Sequence, residues 1–313
     1  MMSLPKVVAF GGGHGLAATL MALKRLTDHV TAVVTVADDG GSSGRLRQEF
    51  GCLPPGDLRM ALAALTGDSA EGRLWADVLQ FRFGGQGSLA GHALGNLLIV
   101  GLWQRYVDPV VGLDQVGRLL EAQGRVLPMS AIPLVISADV LGLDPLAPDE
   151  VCRLTGQAKI AKTAGDVLRV RLEPQDPPAC PEAVASIMEA DYLVFGPGSW
   201  FTSVVPHLLV PGLVEAILAS PAKRICIMNL LPADETDGFT PSRHIEVLAE
   251  HCPQLTFEAV IADPRFIAGD IHVKALVESM RATLTVAEVG MRDGSARHDP
   301  FLLAATLSAV MEL

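Results

Sequence analysis

The chain has 313 residues, half of them apolar, with a formal charge of −11 and a pI of about 5.1. This length suits one large α/β unit with a sizeable core. The acidity argues against a general binder of nucleic acid or anionic membranes, so any phosphate site must be local.

Cysteine usage and apolar runs bear on the compartment. The five cysteines are an odd number without a C-x-x-C pair, which is typical of reduced intracellular thiols. The N-terminus lacks the apolar core of a signal peptide, and the longest apolar runs, near 97–103 and 208–218, are too short for a membrane span. We therefore expect a cytoplasmic protein.

The first predicted elements are a buried strand at 7–10, a glycine turn and an amphipathic helix through Leu26. From Gly13 the turn reads G-x-G-x-x-A, close to a dinucleotide fingerprint, and such helix N-termini bind anions. A Walker A loop is excluded because no G-K-S or G-K-T follows. The candidate phosphate ligands are Gly12, Gly13, His14 and Gly15, with simple exposure in a turn as the alternative for His14.

The most distinctive stretch is 34–47, V-T-V-A-D-D-G-G-S-S-G-R-L-R, which follows a β-branched run at 30–36. Its amides, hydroxyls and guanidinium groups suit phosphate oxygens, whereas its carboxylates suit Mg²⁺ on a diphosphate or ribose hydroxyls. The alternative is a plain strand-to-helix turn capped by an aspartate. The candidate ligands are Asp38, Asp39, Gly40, Gly41, Ser42, Ser43 and Arg45, and the two aspartates are the candidate magnesium ligands.

A third polar segment lies at 51–59. Its two prolines are expected to delay a helix until Asp57 caps it near Leu58, and helices are predicted at 58–65 and 73–81. A glycine cluster at 83–88 is predicted as a flexible joint. Asp57 and Arg59 are candidate ligands, with a simple N-cap as the alternative for Asp57.

The segment 91–98 leads into a long apolar helix. His92 and Asn96 are four residues apart and would share one face of a helix, where they could bind a base, a sugar or a reacting hydroxyl. The alternative is a polar pair that satisfies a helix end. Both are candidate ligands.

Residues 125–175 change to short β-branched runs at 131–138 and 167–172, which predicts a small antiparallel β insertion rather than a separate domain. Lys159, Lys162 and Thr163 either overhang the site or are solvated.

The second half repeats the strand, turn and helix pattern. We predict a helix at 181–190, a strand at 192–195, a turn at 196–203 and helices to 206 and over 212–218, then strands at 225–229 and 257–262 and a closing helix at 299–311. Glu235 and Thr236 either cap a helix at 242–250 or touch ligand. The candidate ligands here are Gly196, Gly198, Ser199, Thr202 and Asn229.

Four strand ends, after residues 10, 36, 195 and 228, are thus each followed by a loop rich in Gly, Ser, Thr, Asp or Asn and then by a helix. In a parallel sheet such loops gather at one edge. We predict one three-layer, Rossmann-like α/β domain over 1–313 that binds a nucleotide-like diphosphate. No G-x-S-x-G elbow and no Cys beside a His is visible, so catalysis is unassigned and its candidates are Asp38, Asp39 and His92. An NAD(P) oxidoreductase is a further alternative.

Five motifs carry a family resemblance: G-G-G-H-G-L at 11–16, the stretch 34–47, L-P-P-G-D-L-R at 53–59, G-H-A-L-G-N at 91–96 and G-P-G-S at 196–199. Together they resemble the YvcK family of bacterial gluconeogenesis factors, in the CofD-like superfamily, over nearly the whole chain. The resemblance implies a CofD-like fold. His14 and Met60 stand where that family usually has Thr and Asn, and the loop at 40–44 is unlike the transferase branch.

The resemblance also implies functions. The CofD branch contains Mg²⁺-dependent 2-phospho-L-lactate transferases, whereas the YvcK branch is associated with UDP-sugars such as UDP-N-acetylglucosamine, gluconeogenic growth, cell shape and cell-wall synthesis. By resemblance, residues 12, 13 and 15 face phosphate, 38 or 39 the metal or ribose, 42, 43 and 45 the diphosphate, and 198 and 199 the opposite wall. A homodimer and a protein partner in cell-wall synthesis stay open.

Overall fold

The computed structural model describes residues 4–144, 146–232 and 234–313. Its centre is a seven-stranded, wholly parallel sheet in the order β10-β9-β8-β7-β1-β2-β3, beside a three-stranded antiparallel sheet in the order β5-β4-β6. The strands are β1 (Val7–Gly11), β2 (Val30–Val34), β3 (Arg125–Pro128), β4 (Val135–Leu141), β5 (Val151–Thr155), β6 (Asp166–Glu173), β7 (Tyr192–Phe195), β8 (Lys223–Ile227), β9 (Ala259–Ala262) and β10 (Thr283–Val286).

Helices connect the parallel strands. They are α1 (Gly13–Leu23), α2 (Gly41–Phe50), α3 (Pro55–Leu65), α4 (Ala70–Gln80), α5 (Leu94–Tyr106), α6 (Pro109–Leu119), α7 (Gln157–Ile160), α8 (Pro181–Met188), α9 (Pro211–Ala219), α10 (Pro241–His251), α11 (Pro264–Ile267), α12 (Val273–Ser279) and α13 (Pro300–Met311). A π-helical turn (Trp200–Val204), a 3₁₀ turn (Val205–Leu209) and a second 3₁₀ turn (Asp234–Thr236) complete the set.

The strand order reverses between β1 and β7. From β1 the chain moves through β2 to β3, whereas from β7 it moves the other way, through β8 and β9 to β10. Because parallel crossovers are right-handed, the two halves place their helices on opposite faces of the sheet, which gives three layers. Ligands of such sheets bind at the carboxyl ends of the strands where the order reverses.

The central strands are buried on both faces, which explains their continuous apolar runs. All five residues of β1 are buried, and Phe10 stacks on Phe195 across the β1–β7 pair with ring centroids 4.6 Å apart. The aromatic core therefore holds the two halves of the sheet together beneath the point of reversal.

The predicted parallel sheet and antiparallel insertion are confirmed, with one correction to the boundary. Arg125–Pro128 pairs with β2 as the edge strand of the main sheet, so the antiparallel strands run only from Val135 to Glu173. A four-residue apolar strand at a sheet edge carries no periodicity that separates it from an insertion.

Several predicted elements differ in extent. α3 begins at Pro55 rather than near Leu58, because proline is favoured at the first helical position, where its missing N–H has no partner to lose. The loop predicted after Asp39 is the start of α2, and Thr240 caps α10 instead of Glu235 or Thr236. β10 was not predicted, and position 233 of the polar run at 232–238 lies outside the described residues.

Among the described residues no single helix is both long and apolar enough to cross a membrane, although one pair bent by 78°, Trp200–Leu209 and Pro211–Ala219, passes together by length and composition.

Candidate functional site

Two glycine turns meet where the strand order reverses. The turn after β1 makes Gly12 the N-cap of α1, without a side-chain cap and without an acidic residue in the first turn. A Cβ on Gly15 would lie 2.1 Å from the Pro197 carbonyl oxygen, and one on Gly198 would lie 3.7 Å from the Gly12 oxygen. The backbones of the β1 and β7 loops are thus in direct contact, and only glycine at position 15 allows it.

Beside this contact lies a crevice of about 430 Å³, which we call the switch crevice. One side is the first turns of α1 and another is the loop after β7. The remaining wall comes from the loop after β8, from Ala161 and from the segment before α13. Its lining includes His14, Gly15, Met21, Gly198, Ser199, Asn229, Leu230, Met291, Arg297 and His298.

Side chains from three loops hold the β7 turn in place. Asn229 accepts a hydrogen bond from the Gly198 N–H and donates one to its carbonyl, both at 2.9 Å. The Ser199 hydroxyl contacts both Thr202 and Glu235. Thr202 is fully buried and lies 3.3 Å from the amide nitrogen of Gln157, so it supports the turn rather than lining the crevice.

A pair of carboxylates lies on the other side of the β1 turn. Asp57, in the first turn of α3, accepts a hydrogen bond from the Gly13 N–H. Asp38 bonds to the Gly40 N–H at 2.9 Å and to the hydroxyl of Ser43. Burial, and then the charge of Asp38, raise the pKa of Asp57 to about 7, while burial raises the pKa of Asp38. Asp57 is therefore not the N-cap that the sequence suggested as the alternative.

Asp39 is directed elsewhere. Its Oδ1 accepts a hydrogen bond of 2.9 Å from the Ala158 N–H, and its Oδ2 would lie 2.3 Å from a Cβ on Gly156. It therefore fastens the antiparallel insertion to the main sheet. One carboxylate oxygen of Asp39 is thus engaged, and the assignment of Asp38 and Asp39 to magnesium stays a prediction.

The fit of a metal rests on the pair of Asp38 and Asp57. Mg²⁺ is commonly held by one or two carboxylates and completed by phosphates and water. Among the described residues no group of three or more His, Cys, Asp or Glu side chains is arranged to hold a metal ion. A magnesium ion held by Asp38 and Asp57 would therefore need further ligands, such as the oxygens of a diphosphate.

A buried polar chain continues from the carboxylates toward α5. Ser42 accepts a 2.9 Å hydrogen bond from Asn96 Nδ2 and lies 2.9 Å from His92 Nδ1. Arg59, only 3 % exposed, donates to Asn96 Oδ1 at 2.9 Å and to Gln80. Burial lowers the pKa of Arg59 to about 10, and burial followed by the charge of Arg45 lowers the pKa of His92.

The pairing of His92 with Asn96 was predicted for the wrong reason. α5 begins at Leu94, so His92 precedes the helix and the two do not share a helical face. They meet because both contact Ser42, on the first turn of α2.

The cations predicted near the site are engaged or exposed. Arg45 donates to the carbonyls of Ser88 and Ala90, and thereby ties α2 to the glycine-rich turn before α5. Lys159 and Lys162 are exposed, while the same segment presents Ala161 to the switch crevice.

Sequence reasoning missed one wall of the crevice. The backbone pairs Met291 N with the Arg297 carbonyl at 2.8 Å, and Gly290 bridges His298, which makes a short hairpin of residues 289–299, the C-terminal hairpin. Buried Asp263, at the end of β9, accepts hydrogen bonds from the Val289 and Gly290 N–H groups and so anchors it. The Asp-Gly pair at 293–294 is a hairpin signal that was available in the sequence.

Apart from Asp39, Gly196 and Thr202, the predicted ligand residues therefore lie along one edge of the sheet in two groups. His14, Gly15, Gly198, Ser199 and Asn229 line the switch crevice. The other group surrounds the carboxylate pair and comprises Asp38, Gly40, Gly41, Ser42, Ser43, Arg45, Asp57, Arg59, His92 and Asn96. Gly12 and Gly13 lie between the groups, since a Cβ on Gly12 would lie 2.5 Å from Asp57 Oδ2. The assignment of these residues to ligand binding stays a prediction.

The chain is similar to proteins of a known family. Residues 7–287 match the family described as 2-phospho-L-lactate transferase CofD. A protein of Mycobacterium leprae (strain TN) whose name includes "gluconeogenesis factor" is 54% identical over 98% of this chain and 86% of its own. The "Gluconeogenesis factor" of Bacillus subtilis (strain 168) is 35% identical over 88% of this chain and 84% of its own.

A solved structure supports the same relationship. The crystal structure of a UPF0052-family protein from Bacillus halodurans superposes with a TM-score of 0.86 at 33% identity, covering 98% of this chain and 100% of that one. Fold, family match and relatives agree with the resemblance read from the five motifs. The chain belongs to the CofD family and, within it, to the gluconeogenesis factors.

Proposed function

We propose that the chain is a cytoplasmic regulator that binds a UDP-sugar, with UDP-N-acetylglucosamine as the first candidate, and links carbon metabolism to cell-wall synthesis and cell shape. The observation that carries the proposal is the contact of two glycine turns at the β1–β7 reversal, beside a crevice of about 430 Å³. A nucleotide sugar needs both features, because its pyrophosphate binds backbone N–H groups and its base and sugar need an enclosed cleft.

The charges around the crevice favour a diphosphate. α1 begins at a glycine without a side-chain cap, so the N–H groups of its first turn, apart from the Gly13 N–H that donates to Asp57, and the helix dipole are available to an anion. Arg297 adds a cation to the opposite wall. Arg297 is paired with Asp293 at 3.3 Å and Glu235 also lines the crevice, so the attraction for a phosphate comes chiefly from the N-terminus of α1.

The rest of the crevice is largely apolar. Met21, Leu230 and Met291 of the C-terminal hairpin all line it. Apolar walls with a few polar groups are typical of sites for small organic ligands, and they suit a base and a sugar ring. Asp38 and Asp57 would hold Mg²⁺ beside the pyrophosphate, where the metal would offset the phosphate charge.

Isothermal titration calorimetry with UDP-N-acetylglucosamine, UDP and GTP, each with and without Mg²⁺, tests the proposal. We expect heat with UDP-N-acetylglucosamine and weaker binding of UDP. The Gly15→Ala variant should lose binding, because its methyl group would meet the Pro197 carbonyl. The Gly101→Ala variant is the matched control, since a Cβ there meets no atom within 4 Å. Silence with all three nucleotides at millimolar concentration would refute the proposal.

A second candidate is an Mg²⁺-dependent enzyme like 2-phospho-L-lactate transferase that uses a nucleotide diphosphate donor. The observation in its favour is the carboxylate pair, beside which His92 could act as a base toward an acceptor hydroxyl. Incubation with a deazaflavin acceptor and a guanylyl lactyl phosphate donor decides it, because the reaction must release GMP. Without GMP release above a no-protein control, the regulator is the better description.

A regulator must also transmit the binding of its ligand to another molecule. A protein partner in cell-wall synthesis, or a homodimer whose assembly responds to ligand, would carry the signal. Analytical ultracentrifugation with and without UDP-N-acetylglucosamine tests the homodimer directly.

A further inference from the structure

His298 occupies an unusual place in the wall of the switch crevice. It lines the crevice, yet only 6 % of its surface is exposed. The C-terminal hairpin holds it, because Gly290 bridges His298 and the Asp299 N–H donates to the Val289 carbonyl at 2.8 Å. The main chain at His298 is thus fixed by backbone pairing.

The hydrogen bonds of the ring determine its tautomer. One ring nitrogen bonds to the Met228 carbonyl, which can only accept, so that nitrogen carries a hydrogen. Nε2 is buried and has no hydrogen-bond partner in the structure, so the nitrogen that faces Met228 is Nδ1. Burial lowers the pKa of His298 to about 4, although Met228 and Asp263 oppose the shift. The ring is neutral at pH 7, and Nε2 carries a lone pair.

A buried acceptor without a donor is unfavourable, and such atoms in native proteins call for an explanation. His244 and His251 also have unpaired Nε2 atoms, but neither lines the switch crevice. Their surroundings are aromatic: His244 packs on Trp200 and His251 lies near Phe201. Of these three residues only His298 lines the switch crevice.

We propose that Nε2 of His298 accepts a hydrogen bond from an N–H or O–H group of the ligand in the switch crevice. The inference rests on the proposed function, because it takes that ligand to be a nucleotide sugar. Two groups have the required chemistry: the N3–H of the uracil ring, and a hydroxyl or amide N–H of the sugar. Either makes His298 a specificity-determining residue.

Two amide substitutions separate this role from a structural one. The amide nitrogen of asparagine occupies the position of Nδ1, so the His298→Asn variant keeps the bond to Met228 and loses the Nε2 acceptor. The amide oxygen of glutamine reaches the position of Nε2, so the His298→Gln variant keeps the acceptor. We expect calorimetry to show roughly tenfold weaker binding of UDP-N-acetylglucosamine by the His298→Asn variant and near-normal binding by the His298→Gln variant.

The matched control is His251→Asn, which alters another unpaired histidine away from the crevice and should leave binding unchanged. A tenfold loss with both UDP and UDP-N-acetylglucosamine assigns the bond to uracil, and a loss with the sugar nucleotide alone assigns it to the sugar. Both results support the proposal.

Two results would overturn it. If the unaltered chain binds UDP-N-acetylglucosamine and the two His298 variants bind it equally well, or the glutamine variant binds more weakly, this inference fails and the proposed function stands. If the unaltered chain binds no uridine nucleotide, the proposed function fails and takes this inference with it.

Discussion

The carboxyl group of Asp57 makes a prediction that can be worked through from its surroundings. It lies in the first turn of α3, bonded to the Gly13 N–H, and burial and the charge of Asp38 raise its pKa from 3.8 to about 7. A carboxyl with a raised pKa binds its proton more tightly in the folded state than in the unfolded chain. Its ionisation therefore destabilises the fold progressively as pH rises from about 4 to 7.

The magnitude follows from the shift. About three pKa units correspond to at most about 4 kcal/mol, and because Asp57 keeps some surface we expect about 2 kcal/mol. The Asp57→Asn variant removes the charge, while the Asn oxygen can still accept from Gly13. Its free energy of unfolding should exceed that of the unaltered chain by about 2 kcal/mol at pH 8, and by little at pH 4.5.

Urea unfolding at pH 4.5, 6 and 8 measures the free energy of unfolding of the Asp57→Asn variant and of the unaltered chain. The Asp28→Asn variant removes an exposed carboxylate and controls for the change in net charge. If the difference between the Asp57→Asn variant and the unaltered chain is the same at pH 4.5 and pH 8, the pKa of Asp57 is not raised. The reasoning about the carboxylate pair would then be wrong.

Four further substitutions test the fold. Gly15→Ala should lower the free energy of unfolding by about 3 kcal/mol, because the added methyl group meets the backbone of Pro197. Gly101→Ala in α5 should instead raise the free energy of unfolding by up to about 1 kcal/mol. Equal effects of the two substitutions in urea unfolding would refute the close contact. Val107, 86% exposed with φ of 65°, is a β-branched residue in a strained conformation, so Val107→Gly should raise the free energy of unfolding by about 1 kcal/mol, and a loss would contradict the strain. Burial alone would raise the pKa of Asp263, but hydrogen bonds from Arg265 and from backbone N–H groups lower this pKa to about 2. The ionised carboxylate therefore stabilises the fold above about pH 4, and this contribution is lost toward pH 2. Asp263→Asn should lower the free energy of unfolding at pH 7 by about 2 kcal/mol and open the C-terminal hairpin to proteolysis; an unchanged cleavage pattern would refute the anchoring role.

The sheet was predictable because its signals are local. Central parallel strands are buried on both faces and read as short apolar runs, and β1 and β7 are each followed by a glycine-bearing turn. Parallel pairing then brings those turns to one edge. The contact of Gly15 with the β7 loop needed no more than this topology.

The rest depends on contacts distant in sequence. Nothing near Asp39 shows that it binds the backbone of Ala158, 119 positions away. Likewise His92 meets Asn96 through Ser42, which no helical spacing predicts. Sequence patterns thus located the loops but could not show which of their side chains line the crevice and which hold the loops in place.

The position of the C-terminal hairpin also depends on a contact distant in sequence. Its turn residues were legible, but its position over the crevice is set by Asp263, in a different βα connection. A hairpin signal predicts a bend and not the surface against which the bend packs.

The most direct test of the account is a crystal structure with UDP-N-acetylglucosamine and Mg²⁺. We expect the pyrophosphate to lie against the N-terminus of α1, between Gly15 and Ser199, with the uridine and sugar inside the switch crevice. Nucleotide bound at any other face of the sheet, or a crevice left empty at saturating ligand, would contradict it.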